Sequence, residues 1–138
     1  MRFKIEWHSY QFPDMSKKYK IANGLIHGFT FAHALVVVLF KLFDLPDEIP
    51  LTILTVLMII LVARLNDFPY DLIAVMALMF SFAGYFVGST GSEWMMANGS
   101  EFVSANANAI MTIIVTELVG WLIYYVTNYI QSQNGEQV

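Results

Sequence analysis

The residue type most at odds with its surroundings is a carboxylate. In "IIVTELVGWLIYY", Ile113 to Tyr125, Glu117 stands alone among side chains that favour hydrocarbon. An ionised carboxylate at the centre of a bilayer costs at least ~2.5 kcal/mol. Such a group faces protein or water, takes a partner, or stays protonated. At helical spacing Glu117 aligns with Asn106, Gly120, Tyr124, Asn128 and Gln131, a stripe that is polar or small. A partner at the same depth is expected in the first apolar segment, where His33 is next to its middle. A His–Glu pair lowers the burial cost of both groups. The candidate ion or proton site is therefore Glu117, His33, Asn106 and Tyr124, with Thr30, Thr55 and Ser81 as further central polar groups. His27, six residues before His33, is expected on a different face. Two roles stay open for the pair: cation binding or proton relay, and a purely structural tie between helices.

A second pattern is one of small residues. Ala74, Ala77, Ser81, Gly84, Gly88 and Gly91 recur at spacings of three and four and include a GxxxG motif. Small stripes let helix backbones approach closely in a membrane. Ala77, Ser81, Gly84 and Gly88 are the expected packing interface, within one chain or between chains.

Charged clusters mark the connections. Asn66 and Asp67 are expected to cap the third helix, where negative charge suits an N-terminus. Arg64 is expected to pair with Asp67 or Asp71. Asp44, Asp47 and Glu48 form either a cation-attracting vestibule or an ordinary solvated loop. Catalytic signatures are missing. The sequence has no HExxH, no GxSxG and no phosphate-binding glycine loop. It has no cysteine, and His8, His27 and His33 have no ligand-like spacing. The methionines read as packing residues. No enzymatic activity, metal or cofactor is expected.

The elements that must position these groups follow from composition. Of 138 residues, 57% are hydrophobic and 13% charged, and mean hydropathy is +0.58. Soluble domains carry about 25% charged residues, and a short chain has little interior for so much apolar surface. The expected fold class is all-α: a polytopic membrane protein with four transmembrane helices in an antiparallel bundle. The helices are expected at about 25–43, 49–65, 70–90 and 105–129, since crossing takes about 20 residues and backbone groups must be satisfied internally. Residues 1–138 form a single integral-membrane domain. Prolines in "DLPDEIP" and "NDFPYD" mark two tight turns. The third connection, rich in Gly, Ser and Asn, is expected to hold a short interfacial turn around Trp94–Met96.

Basic residues orient the chain. Arg2, Lys4, Lys17, Lys18 and Lys20 precede the first helix and Arg64 closes the second, whereas the other connections are acidic. Both termini are therefore expected in the cytoplasm. Residues 1–22 are read as an interfacial segment anchored by Phe3, Ile5, Trp7 and Tyr10, and 130–138 as a cytoplasmic tail. No removable targeting segment or lipidation signature is evident. A net charge of -4 gives no nucleic-acid footprint. The expected function is a small oligomeric channel or cation/proton-coupled transporter of the cell membrane, centred on Glu117. The alternative is a non-catalytic membrane subunit or assembly partner of a larger complex. Expected partners are the lipid bilayer, and further copies of the chain or other membrane subunits.

Overall fold

The computed structural model describes residues 15–135; residues 1–14 of the interfacial segment expected at 1–22 lie outside them, whereas its residues 15–22 belong to a long first helix and residues 130–135 of the expected tail to the last one. The elements are α1 (Met15–Leu42), α2 (Glu48–Arg64), α3 (Tyr70–Asn98), α4 (Glu101–Ala105) and α5 (Ala107–Gly135). No strand occurs among the described residues. α1, α3 and α5 are long and apolar enough to cross a membrane. α2 has 17 residues, about 26 Å at 1.5 Å per residue. It is strongly apolar but shorter than a typical hydrocarbon core of about 30 Å.

α1 begins ten residues before the expected boundary at Leu25. Its first turns, "SKKYKIAN", are polar but contain no helix breaker, and Lys and Ala are good helix formers. Hydropathy marks where a helix becomes apolar, not where it starts. The same reason carries α3 to Asn98, through the expected interfacial turn at Trp94–Met96. That helix ends at Gly99, where a Cβ would lie 2.5 Å from the Met95 carbonyl oxygen. Ser100 then caps α4 by accepting from the Val103 N–H.

The two tight turns are built alike. After α1, the Asp44 N–H donates to the Lys41 carbonyl and the Leu45 N–H to that of Phe40. After α2, Asp67 N–H donates to Arg64 and Phe68 N–H to Ala63. This nested pair of bonds needs a left-handed residue just past the helix. Asp44 (φ 53°) and Asp67 (φ 54°) supply it, an acidic residue being among the few non-glycines that tolerate it.

Asp67 therefore terminates α2 instead of capping α3. The residue before α3 is Pro69, with no side-chain cap. The pairing expected for Arg64 is also absent. Its guanidinium lies 4.4 Å from the Tyr70 ring centre and donates to the Phe68 carbonyl. Asp67 instead faces Lys18 of α1 at 3.6 Å.

α5 packs on α1, α2 and α3, and α2 also touches α1 and α3. The apolar core fills one half of this bundle. Ala22 and Ile26, Met58, Ile59, Val62 and Ala63, Phe68 and Ile73, and Val119, Ile123 and Tyr124 gather there. This is the half next to the α2–α3 turn. The other half is less tightly filled, and a cavity opens in it.

A membrane-depth ion pair and a hydroxyl-lined cavity

Two contacts mark the ends of the α4–α5 segment against the rest of the bundle. At one end Lys41 donates to the Ala105 carbonyl, and at the other Gln131 donates to that of Asp67. Glu117 lies between these markers, twelve residues from the first and fourteen from the second. The structure thus puts the carboxylate halfway along the bundle.

Its partner is His27, not His33. His27 Nδ1 donates to Glu117 Oε1 at 2.7 Å, and Trp121 Nε1, one turn further on α5, donates to Oε2 at 3.1 Å. The expected His33–Glu117 pair does not form because α1 starts earlier than its apolar stretch. The midpoint of Met15–Leu42 falls near His27, whereas the apolar window alone centres on His33. Gly120 brings the two helices together. A Cβ there would lie 2.9 Å from both Ile26 Cγ atoms, so α1 and α5 approach more closely than any side chain would allow. The pair is partly uncovered: the His27 side chain is 57% exposed and that of Glu117 25%.

His33 has a different setting. It is 2% exposed and lies on the buried stripe of Ala22, Ile26, Thr30 and Val37. Its Nδ1 is 2.7 Å from the Phe29 carbonyl, which can only accept, so Nδ1 carries a proton. Nε2 meets Thr55 Oγ1 at 3.0 Å, and that hydroxyl is also 2.9 Å from the Leu51 carbonyl. When the ring is neutral, the Thr55 hydrogen points to Nε2. When the ring is charged, Nε2 donates and the hydroxyl turns to Leu51. The two states differ by one proton on Nε2 and by the direction in which the Thr55 hydroxyl points.

The other two expected site residues stand apart. Asn106 is the joint between α4 and α5, where it donates to the Phe102 carbonyl. The stripe that linked it to Glu117 assumed one continuous helix, and the break at Asn106 ends it. Tyr124 is 3% exposed and packs edge-on against Trp121 and Tyr19, at 6.0 and 6.2 Å. It walls the core below Glu117 without touching the carboxylate.

The small-residue stripe of α3 faces α5 within the same chain. A Cβ on Gly84 would lie 3.3 Å from Val115, one on Gly88 3.9 Å from the same side chain, and one on Gly91 would strike Met111. Ala77 is buried in the core. Ser81 Oγ is buried and has no hydrogen-bond partner among the described residues.

Ser81 belongs to the wall of a cavity of about 260 Å³ between α2, α3 and α5. Asp47 and Glu48 stand at its rim, and His33, Thr55, Ser81 and Thr116 lie at its inner end. Burial and the adjacent Glu48 push the Asp47 carboxyl above its ordinary range. The cavity and the His27–Glu117 pair occupy different faces of α5. Thr112, Val115, Thr116 and Val119 face the cavity, while Glu117 and Trp121 face the outer edge of α1. Sequence reasoning found Ser81 and Thr55 as isolated polar groups. Their convergence needs the helix register, which no local pattern carries. Comparison with known families, curated proteins and solved structures finds no match to this chain.

Proposed function

We propose that the chain is a small channel or cation/proton-coupled transporter, with Glu117 as its ionisable centre and His27 as the partner. In this reading it spans the cell membrane four times, α2 included, with both ends in the cytoplasm. The observation that carries the proposal is the His27–Glu117 pair, halfway along apolar helices and partly uncovered. A purely structural tie gains from complete burial, because any exposed part meets hydrocarbon that replaces no hydration. A working ionisable group needs a path for water or ions, and in this reading further copies of the chain meet at the exposed edge of His27 and enclose that path.

The lopsided bundle adds support. One half is sealed by the apolar core, and the other opens as a polar cavity with carboxylates at its rim. Such a shape offers a cation an entry from one side, on a different face of α5 from the His27–Glu117 pair. A second reading draws on the same uncovered pair: the chain is a membrane subunit, and another helix covers His27. Mass measurement in detergent separates the two. A monodisperse, active monomer or homo-oligomer supports transport, and a chain that is stable only with a different partner supports the subunit. Flux into proteoliposomes, scanned over H⁺, Na⁺ and K⁺, tests the function itself. Cysteine labelling at Asp47 and Asn98 from outside, and at Asn134 from inside, tests the topology.

A further inference from the structure

We propose that the cavity between α2, α3 and α5 is a water-filled half-channel, and that His33 at its inner end gains and loses its proton through it. His33 is then a second protonatable site, independent of the His27–Glu117 reading.

The shape comes first. The cavity wall follows α2 from Glu48 to Thr55, α3 from Ser92 back to Ser81, and α5 from Asn108 to Val119. The eleven residue steps from Asn108 to Val119 rise about 16 Å at about 1.5 Å each. That is just over half of a hydrocarbon core of about 30 Å. Further on the helices close, and Met58, Ile59, Val62 and Ile123 are fully buried. The space opens at one end of the bundle and ends about halfway along it.

The lining decides the occupant. Thr52, Ser89 and Ser92 donate to the Glu48, Phe86 and Ser89 carbonyls, so they offer the cavity lone pairs. Asn108, Thr112 and Thr116 make no side-chain hydrogen bond among the described residues, so they offer donors as well. A wall that both gives and takes suits water, which does the same. Polar cavities hold water and apolar ones stay dry. A single water needs about 10–15 Å³ of such space, whereas the cavity offers about 260 Å³. A connected chain of waters fits.

His33 meets this space through one atom. Its ring is buried, and its Nδ1–H is held by the Phe29 carbonyl, which cannot pass a proton on. Nε2 lies 3.0 Å from Thr55 Oγ1, and both residues line the cavity. A hydronium ion in the cavity gives a proton to Oγ1 as the hydroxyl's own hydrogen moves to Nε2. The hydronium is left as water and the ring carries one positive charge. The hydroxyl then turns its new hydrogen to the Leu51 carbonyl. Charged neighbours are few. α2 brings Asp47 and Glu48 to the rim, α3 brings Tyr85 to the wall, and α5 brings no titratable group to the cavity. On α1, His27 is engaged with Glu117 and Lys41 with the Ala105 carbonyl. The acidic rim draws protons towards the mouth.

The test uses the purified full-length protein, which has no cysteine of its own, in lipid nanodiscs. Thr55→Cys and Thr112→Cys place single thiols in the wall, and Leu57→Cys and Ile114→Cys place them on exposed outer faces. Each is treated with a water-soluble cationic methanethiosulfonate. The wall thiols should label faster by about tenfold or more, since the reacting species is the thiolate, which needs water. Histidine ¹⁵N NMR, with His33→Gln to assign the signal, then follows Nε2 from pH 8 to pH 4. The expected result is a reversible change from bare to protonated Nε2, with Nδ1 protonated throughout. Thr112→Leu plugs the cavity and should slow both thiol labelling in Thr55→Cys and proton exchange at His33. Ser89→Leu plugs it from α3 and serves if Thr112→Leu does not fold. Equal labelling of wall and outer thiols would overturn the assignment. So would an Nε2 that never changes its protonation, or unaltered labelling and exchange in a folded, plugged variant.

Discussion

His27 Nδ1 lies 2.7 Å from Glu117 Oε1, although ninety residues of chain separate them. The antiparallel course of α1 and α5 brings them level, and the missing side chain at Gly120 lets the helices close. In a low-dielectric setting each group is expensive to leave unpaired, so the loss of either exposes the other.

This pairing makes a double-mutant cycle decisive. His27→Gln and Glu117→Gln should each lower thermal stability in detergent. Their combination should cost less than the sum, with a coupling of about 0.5–3 kcal/mol. His33→Gln should also destabilise, through its lost bonds to Phe29 and Thr55, yet add independently to Glu117→Gln. Coupling to His33 and none to His27 would reverse the assignment.

Gly120→Ala places a methyl 2.9 Å from two carbons of Ile26. Ile26 is buried and has nowhere to retreat, so the expected cost is about 1–3 kcal/mol. Gly28→Ala, where no atom lies within 4 Å, should be tolerated. Equal melting temperatures for the two variants would mean that α1 and α5 do not approach as described.

Asn66 ties the end of α2 to α5. Its Nδ2 donates to the Tyr124 carbonyl at 3.1 Å and to Thr127 Oγ1 at 2.8 Å, all in buried surroundings. Asn66→Ala strips a buried acceptor of its donor and should cost about 1–3 kcal/mol. Asp71→Ala, in the first turn of α3 and without a partner role here, should cost far less. If the two are indistinguishable, the tie is not a stabilising contact.

What the sequence made legible was whatever a local pattern encodes. The apolar runs located all four long elements, and the small stripe marked the face of α3 that meets α5. The register of one helix on another was not legible. Taking α1 from Leu25 put His33 at mid-depth, and ten helical residues upstream shifted that point to His27. The available clue was that no proline or glycine stands between Pro13 and Gly24. Asn66 and Asp67 have the residue types of caps, but a left-handed turn and a buried amide used them otherwise. Turn chemistry and long-range contact competed with local preference there and prevailed.

Asp47 gives a pH signature outside the spanning segments. Its carboxyl is raised from an ordinary value of 3.8, first by burial and then by Glu48. The fold therefore favours the neutral acid. That contribution is fully present below 3.8 and is lost as pH rises through the raised value. Asp47→Asn should accordingly melt higher than the parent protein at pH 7, with the difference shrinking towards pH 3. A difference of the same size at both pH values would show that the carboxyl is not perturbed by folding.

Proton- or cation-driven flux in proteoliposomes, compared between the parent protein and Glu117→Gln across pH 5 to 8, addresses the role of Glu117 most directly. Glutamine keeps the shape of the side chain and can still accept from Trp121, so circular dichroism and monodispersity should show an intact, if less stable, fold. The account predicts flux that varies with pH in the parent protein and is lost or independent of pH in the variant. Equal flux with the same pH profile in both would contradict it.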